Sequence, residues 1–183
     1  QSLDALGVPF DPAEDHIEAF DSFHRNAAAK AVYFARLTGL PTIADDSGLV
    51  VPALGGAPGV HSKRFAARPG LSGTALDAAT NGLLRERLRD VPEARRSAYY
   101  VCAAAFARPG APDRTTIVIG TCSGLIGTAP AGTAGFGYDP LFFVRALGRT
   151  FGQISAAEKN RRSHRARAFR ALAALLFSPR PWP

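Results

Sequence analysis

The chain has 183 residues, of which 46% are hydrophobic and 20% are charged, a composition typical of a globular protein rather than a disordered one. No apolar run approaches the ~20 residues of a membrane span, and the first residues form no secretion signal. We therefore expect a cytoplasmic protein with no membrane partner. The net charge of +7 is scattered, except for a cluster from Lys159 to Arg170, and no nucleic-acid-binding motif accompanies it. A small anionic ligand is favoured over a nucleic acid polymer.

The first half of the chain predicts two helices on either side of a short strand. Ser22 is a typical N-cap for a helix over 23–38, and Gly39 is a typical residue to end it. A strand is expected over 42–45. After a loop rich in glycine and proline, a second helix is expected over 73–89.

The second half predicts three strands and one long helix. The apolar stretches 97–107 and 115–120 are connected through a Pro-Gly pair, which indicates a hairpin. A short buried strand is expected over 141–144. The capping box Ser155-Ala156-Ala157-Glu158 then begins a single helix that extends to about residue 177.

Helices that alternate with strands predict the α/β class, with a mixed sheet because the hairpin excludes a purely parallel one. We expect one domain over residues 1–177 and a loose tail over 178–183. Cys102 and Cys122 belong to no CxxC pair, so we expect both to be buried thiols.

The segment Ile43-Ala44-Asp45-Asp46-Ser47-Gly48-Leu49 contains two adjacent carboxylates where the predicted strand ends. Carboxylates in such a position suit a hard cation such as Mg²⁺, and the glycine lets the backbone approach a ligand. The alternative is an ordinary surface turn, since Asp-Ser-Gly is common in turns.

Glu18 and Lys30 are candidates to join that segment. Glu18 precedes the first helix and Asp46 follows the next strand, so the two acids can meet around one Mg²⁺. Taken alone, Glu18 is better explained as a solvated loop acid. Lys30 lies among small apolar residues of the first helix and is either a solvated lysine or a contact for phosphate.

Two further segments carry polar and aromatic side chains suited to a nucleotide. Gly135-Phe136-Gly137-Tyr138-Asp139-Pro140 offers stacking rings, mobile glycines and a hydrogen-bond acceptor for a purine; the alternative is a turn whose aromatic rings fill the core. Lys159, Ser163, His164 and Arg165 on the last helix concentrate donors suited to phosphates or base carbonyls. The alternative for them is a solvated basic face.

Together, in this order, these segments resemble the inosine triphosphate pyrophosphatase family, the non-canonical purine (dITP/XTP) nucleoside triphosphate pyrophosphatases. The resemblance runs from about residue 18 to about residue 176. It is carried by four blocks: Ser22-Phe23-x-x-Asn26-Ala27-x-x-Lys30-Ala31; Ala44-Asp45-Asp46-Ser47-Gly48-Leu49 with Leu54-Gly55-Gly56-Ala57-Pro58-Gly59; Gly135-Phe136-Gly137-Tyr138-Asp139-Pro140; and Glu158-Lys159-Asn160 with Ser163-His164-Arg165.

The resemblance implies Mg²⁺-dependent hydrolysis of ITP, dITP and XTP to the monophosphate and pyrophosphate, which removes deaminated purines from the nucleotide pool. It implies an elongated α/β fold with a central mixed sheet, two lobes around a nucleotide cleft, and a homodimer. Asp46 is expected to be the catalytic residue, as a general base or metal-bound acid, with Glu18 as the second metal ligand. Lys30 is expected to contact the triphosphate, and Ser47 to bond the substrate near the metal.

The other two blocks imply how the base is recognised. Phe136, Gly137, Tyr138 and Asp139 are expected to hold the purine. Lys159, His164 and Arg165 are expected to read its 6-oxo edge, and a 6-amino group would leave such donors facing another donor.

The sequence departs from the family pattern in two places. Family members begin with a strand and a Thr/Ser-x-Asn-x-x-Lys loop that grips phosphate, and nothing before Glu18 supplies it. The alternative function is therefore a nucleotide-binding homologue with impaired catalysis. Arg25 stands where the family has Glu, so the capping box with Ser22 is incomplete, and we expect weaker Mg²⁺ affinity than in a relative with Glu.

Overall fold

The computed structural model describes residues 2–8, 17–67 and 69–177. The tail over 178–183 that was expected to be loose lies outside the described residues. Within the part of the chain that the structure describes, every helix is too short or too polar to cross a membrane.

The sheet has five described strands in chain order, and each neighbouring pair is antiparallel. They are β1 (Thr42–Val50), β2 (Ser97–Arg108), β3 (Ala111–Ile126), β4 (Phe142–Val144) and β5 (Arg149–Thr150). The predicted α/β class is confirmed, but the parallel pairing that a mixed sheet requires is not found among the described strands. The expected hairpin forms between β2 and β3, where a tight turn can pair strands only antiparallel.

Among the described residues, four α-helices flank the sheet: α1 (Phe23–Thr38), α2 (Gly73–Arg87), α3 (Ala156–Arg162) and α4 (His164–Leu176). Helix α1 begins and ends as predicted, with the Ser22 hydroxyl accepting the N–H of Arg25 and Gly39 in the left-handed conformation. A single last helix was the wrong prediction. Ser163 interrupts it with an extended backbone (φ −64°, ψ 160°), and its hydroxyl accepts the N–H of Ala166 to start α4. A serine that caps the next helix competes with continuation of the previous one.

Strand β1 continues through the paired acids to Val50, so the surface turn and the strand end expected at Asp45 are both wrong. Residues Asp45 to Gly48 each pair with a residue of β2. Because side chains alternate along a strand, Asp46 and Gly48 lie on one side of the sheet, and Asp45, Ser47 and Leu49 on the other. We call these sides the acidic face and the cavity face.

The two faces are covered in different ways. On the acidic face, alanines of α1 pack on alanines of β2, namely Ala27, Ala31 and Ala35 with Ala103, Ala105 and Ala107. On the cavity face the core consists of larger side chains, including Leu49, Tyr100, Phe142 and Phe151. Helix α4 lies against β3 at Gly120, where a Cβ would overlap the backbone of His164 and Ala168. Because Gly120 has no side chain, the start of α4 can pack directly on the backbone of β3.

The two cysteines are buried and form no disulfide, as predicted. Burial raises the pKa of the Cys102 thiol to about 12. The thiol is therefore protonated at neutral pH and acts as a small core residue rather than as a nucleophile.

Candidate active site

A cluster of polar side chains on the acidic face joins Asp46 to Glu18 through Lys30. The Lys30 ammonium donates to Glu18 Oε1 at 2.6 Å and lies 4.0 Å from Asp46 Oδ1. Asn26 donates to Asp46 Oδ2 at 3.0 Å. The predicted meeting of the two acids across α1 is therefore found, with a lysine between them.

Asn26 also holds the segment that carries Glu18. Its side chain, only 1% exposed, accepts the N–H of Phe20 and donates to the Phe20 carbonyl, both at 3.0 Å. One buried amide thus fixes both the backbone beside Glu18 and the carboxylate of Asp46. Although Asn26 lies in a motif quoted above, sequence reasoning gave it no role.

The environment of Asp46 favours its protonated form. Burial raises the pKa of this carboxyl most strongly, and the neighbouring Glu18 raises it further. The hydrogen bond from Asn26 and the charge of Lys30 oppose the shift. A carboxylate whose pKa is raised by burial is a better proton acceptor than an exposed one.

On the cavity face, Asp45 holds Arg165 and Ser47. The guanidinium of Arg165 donates twice to Asp45, at 2.9 and 3.1 Å, and the Ser47 hydroxyl donates to Asp45 Oδ2 at 2.8 Å. In this structure Ser47 therefore faces away from Asp46, and Arg165 is oriented by a planar two-bond contact.

A cavity of about 440 Å³ opens on this face between β1, α2 and the start of α4. Most of the predicted substrate-binding residues line it: Ser47, Phe136, Gly137, Tyr138, Asp139, Lys159, His164 and Arg165. Glu18, Lys30 and Asp46 do not, because they lie on the acidic face. The sequence candidates thus form two groups on opposite sides of one strand. Ser163, grouped with the donors above, caps α4 instead of lining the cavity.

Asp139 lies at the wall of the cavity and binds protein groups. It is 1% exposed, pairs with the Lys159 ammonium and accepts the N–H of Phe136 at 2.9 Å. Lys159 in turn lies over the Phe136 ring, 4.3 Å from its centroid. Asp139 thereby fixes the Phe136 backbone and the Lys159 ammonium beside the cavity, and its expected role in holding a base stays a prediction.

His164 is a buried, neutral imidazole. Its ring stacks on Tyr100 with 4.7 Å between centroids and 14° between planes. Burial, then the charges of Arg165 and Lys159, lower its pKa to about 3. Its Nδ1 atom is buried and has no hydrogen-bond partner among the residues that the structure describes, although such an atom usually has one.

The chain matches the family model of the Ham1 family over residues 2–175. It belongs to the Ham1 family. Among curated relatives, a Burkholderia pseudomallei protein named dITP/XTP pyrophosphatase is 51% identical over 159 residues, 87% of this chain and 74% of its own length. A Frankia alni protein of the same name is 45% identical over 175 residues, 96% of this chain and 85% of its own length.

Solved structures of Ham1 proteins agree with this assignment. A HAM1 protein from Coxiella burnetii superposes with a TM-score of 0.82 at 36% identity, covering 94% of this chain and 83% of that one. A Mycobacterium abscessus nucleoside-triphosphatase / dITP/XTP pyrophosphatase gives a TM-score of 0.68 at 43% identity, covering 85% and 76%. The family resemblance stated from four sequence blocks is therefore confirmed.

In this Ham1-family chain, two residues of α2 that sequence reasoning missed hold the Gly137 peptide. Asp77 accepts the Gly137 N–H at 2.8 Å, and Asn81 donates to the Gly137 carbonyl at 2.8 Å. They lie one helical turn apart, and that spacing is the only signal in the sequence. Nothing local indicates a contact with a loop more than fifty residues away.

Two other positions have contacts that the sequence did not indicate. A Cβ at Gly48 would overlap the Gly59 carbonyl, so the backbone there lies close to a neighbouring loop. Gly48 also lines the cavity, and its approach to a ligand stays a prediction. Arg25 lies over the Phe20 ring, 4.1 Å from its centroid, and so packs on the segment that carries Glu18.

Proposed function

We propose that this chain hydrolyses non-canonical purine nucleoside triphosphates, namely ITP, dITP and XTP, to the monophosphate and pyrophosphate. One observation carries the proposal: the acidic cluster at Asp46 and the donor-lined cavity at Ser47 belong to adjacent residues of β1. A nucleotide with its base in the cavity could extend its phosphates over this strand, which is at the edge of the described sheet, toward Asp46. The names of the relatives support the same reaction.

The cavity suits a purine with a 6-oxo group. Phe136 is 65% exposed and offers a ring face for stacking. Lys159 and Arg165 carry only donors, which a carbonyl oxygen would accept from. The amino group of adenine would instead place a donor against these donors, and donors that face each other in a closed site cost affinity.

Mg²⁺ is the proposed cofactor, and the acidic face fits it. Glu18 and Asp46 offer hard carboxylate oxygens, the ligands that Mg²⁺ takes alongside water and phosphate. The described residues include no group of three acidic, histidine or cysteine side chains that could hold a metal alone, which agrees with a site completed by substrate. When bound, the ion would neutralise charge on the phosphates. Asp46 would accept the proton of the attacking water or hold the ion, and Lys30 would pair with a phosphate oxygen.

Pyrophosphate release from dITP, measured beside dATP with and without Mg²⁺, tests this function. Mg²⁺-dependent release from dITP, with dATP roughly 100-fold slower, is the expected result. Equal rates for both would remove the base-reading roles of Lys159, His164 and Arg165. Binding of dITP without release would favour the catalytically impaired homologue over the enzyme.

Mg²⁺ binding can be measured apart from turnover. Calorimetric titration of Mg²⁺ in the presence of dIMP and pyrophosphate should show binding in the wild type and a loss in Glu18→Gln. The earlier expectation for Arg25→Glu, tighter Mg²⁺ binding, is read in the same assay. Binding unchanged in Glu18→Gln would remove Glu18 from the metal site.

The homodimer and the cytoplasmic location stay predictions of the family resemblance, as does the absence of a nucleic acid polymer or a membrane among its partners. Light scattering on the purified protein measures the oligomeric state directly. A mass of twice 19.3 kDa is the expected result, and a mass of one chain would contradict the dimer.

A further inference from the structure

A second cavity of about 440 Å³ opens beside α3 and α4. It shares no lining residue with the active-site cavity. Its apolar part is formed by Gly124 and Leu125 of β3 with Val144 of β4. The proposed hydrolysis uses none of its residues.

Three arginines from three elements line this second cavity. Arg145 follows β4, Arg162 ends α3 and Arg167 lies on α4. All three are exposed, and none of their guanidinium groups has a hydrogen bond or ion pair with a residue that the structure describes. Three unpaired positive charges around one concavity repel one another and are stabilised by an anion.

Some other arginines of the chain are engaged by the protein. The Arg96 guanidinium donates to the carbonyls of Leu88 and Val91, and Arg165 pairs with Asp45. The three arginines of the second cavity therefore differ from arginines that serve the fold.

The other polar residues that line the second cavity carry no charge. They are Ser97, Cys122 and Ser123, and none of the described lining residues is acidic. Guanidinium groups without a competing acid match the acceptor-only surface of phosphate. The volume falls in the range of sites for small molecules, whereas a nucleic acid polymer would need an extended basic stripe.

We propose that the second cavity binds a small, multiply charged phosphate compound, held by Arg145, Arg162 and Arg167. The phosphate groups contact the guanidinium groups, and the rest of the ligand lies over the apolar part. This site is independent of the proposed hydrolysis.

Protection of individual arginines from a dicarbonyl reagent tests the site, with inorganic pyrophosphate as the probe. The wild-type protein is modified with and without pyrophosphate, cleaved with a protease that does not cut at arginine, and read by mass spectrometry. We expect modification of Arg145, Arg162 and Arg167 to slow about fivefold or more, while Arg87 and Arg114, exposed elsewhere, change little. Arg165 reports the active-site cavity separately, so the two sites are distinguished in one experiment.

Variants complete the test. The triple variant Arg145→Gln/Arg162→Gln/Arg167→Gln is titrated with pyrophosphate in a calorimeter. It should lose one binding event of the wild type, or bind roughly tenfold more weakly per arginine removed. The matched control Arg87→Gln/Arg89→Gln/Arg114→Gln removes the same charge and should retain it. Equal slowing of all exposed arginines, or equal weakening in both triple variants, would reduce the effect to general charge screening and overturn the proposal. Stronger protection by a short single-stranded oligonucleotide, spreading to arginines outside the cavity, would overturn it in favour of a nucleic acid surface.

Discussion

The acidic face and the cavity face of β1 place neighbouring residues in different chemical surroundings. On the acidic face, Asp46 is buried beneath α1 with one amide and one ammonium as its partners. On the cavity face, Asp45 is bound by an arginine that is half exposed. The two carboxylates are adjacent and chemically identical in sequence, yet burial raises the pKa of one and the other orients an arginine. Successive side chains of a β-strand point to opposite sides of the sheet, and this alternation alone separates the two carboxylates.

The strongest way to sharpen the comparison is to remove one carboxylate charge at a time. Asp46→Asn should lower kcat for dITP by about 10²–10⁴-fold, the usual contribution of a positioned acid or base. Asp45→Asn should leave kcat within about threefold, because its partners lie on the cavity face, and should instead reduce the preference for dITP over dATP. Steady-state pyrophosphate release measures both. Equal kcat losses in the two variants would contradict the division between the faces.

On the cavity face the largest stability effect is expected at the buried pair of Lys159 and Asp139. Lys159→Met leaves the Asp139 carboxylate buried without a counter-charge, so the free energy of unfolding should fall by about 3–5 kcal/mol. The double variant Lys159→Met/Asp139→Asn should recover more than half of that loss. Urea unfolding measures both, and equal destabilisation of single and double variants would show that the pair is not the cause.

A smaller effect is expected where α2 holds the Gly137 peptide. Asn81→Ala removes one hydrogen bond to the loop that carries Phe136, which is worth about 1 kcal/mol. KM for dITP should rise about fivefold to tenfold with kcat within twofold, since only the base side of the site is disturbed. Glu86→Ala, on the exposed side of the same helix, is the control. A fall in kcat with unchanged KM would show that Asn81 supports the reacting groups of the acidic face rather than binding of the base.

The last prediction concerns the pH dependence of stability. The pKa of His164 is lowered in the folded protein to about 3 from 6.5, so protonation favours the unfolded chain. Its contribution to stability is complete above pH 6.5 and is lost as the pH falls, by roughly 1 kcal/mol per pH unit. The raised pKa of Asp46 acts in the opposite direction at acid pH. The difference in unfolding free energy between wild type and His164→Gln should therefore shrink from pH 7 to pH 5, and a constant difference would contradict a neutral His164.

Local features were predictable where a single side chain decides them. Ser22 and Gly39 mark the ends of α1 because capping is a property of neighbouring residues, and the Pro-Gly turn marks the hairpin. The four blocks identified the family because their order along the chain is specific. The meeting of Glu18 with Asp46 followed from the returning path of a helix and a strand.

Features that depend on tertiary packing were not predictable. The Asp-Asp-Ser-Gly run reads as a turn, but pairing with β2 keeps it extended, so tertiary context overrides local preference. The partner of Asp139 was not evident from sequence, since Lys159 comes from another element. The contacts of Asp77 and Asn81 were not evident from sequence either, because their partner is the backbone of Gly137 rather than a side chain.

The interruption at Ser163 has a consequence for how such sites are recognised in sequences. On one continuous α-helix, Lys159 and His164 would point about 140° apart around the axis, at 100° per residue. A search for ligand-facing residues by helical projection would place them on different sides and reject the pair. The change of direction at Ser163 lets both line one cavity. The spacing of these two donors therefore has meaning only together with a serine that itself belongs to neither helix.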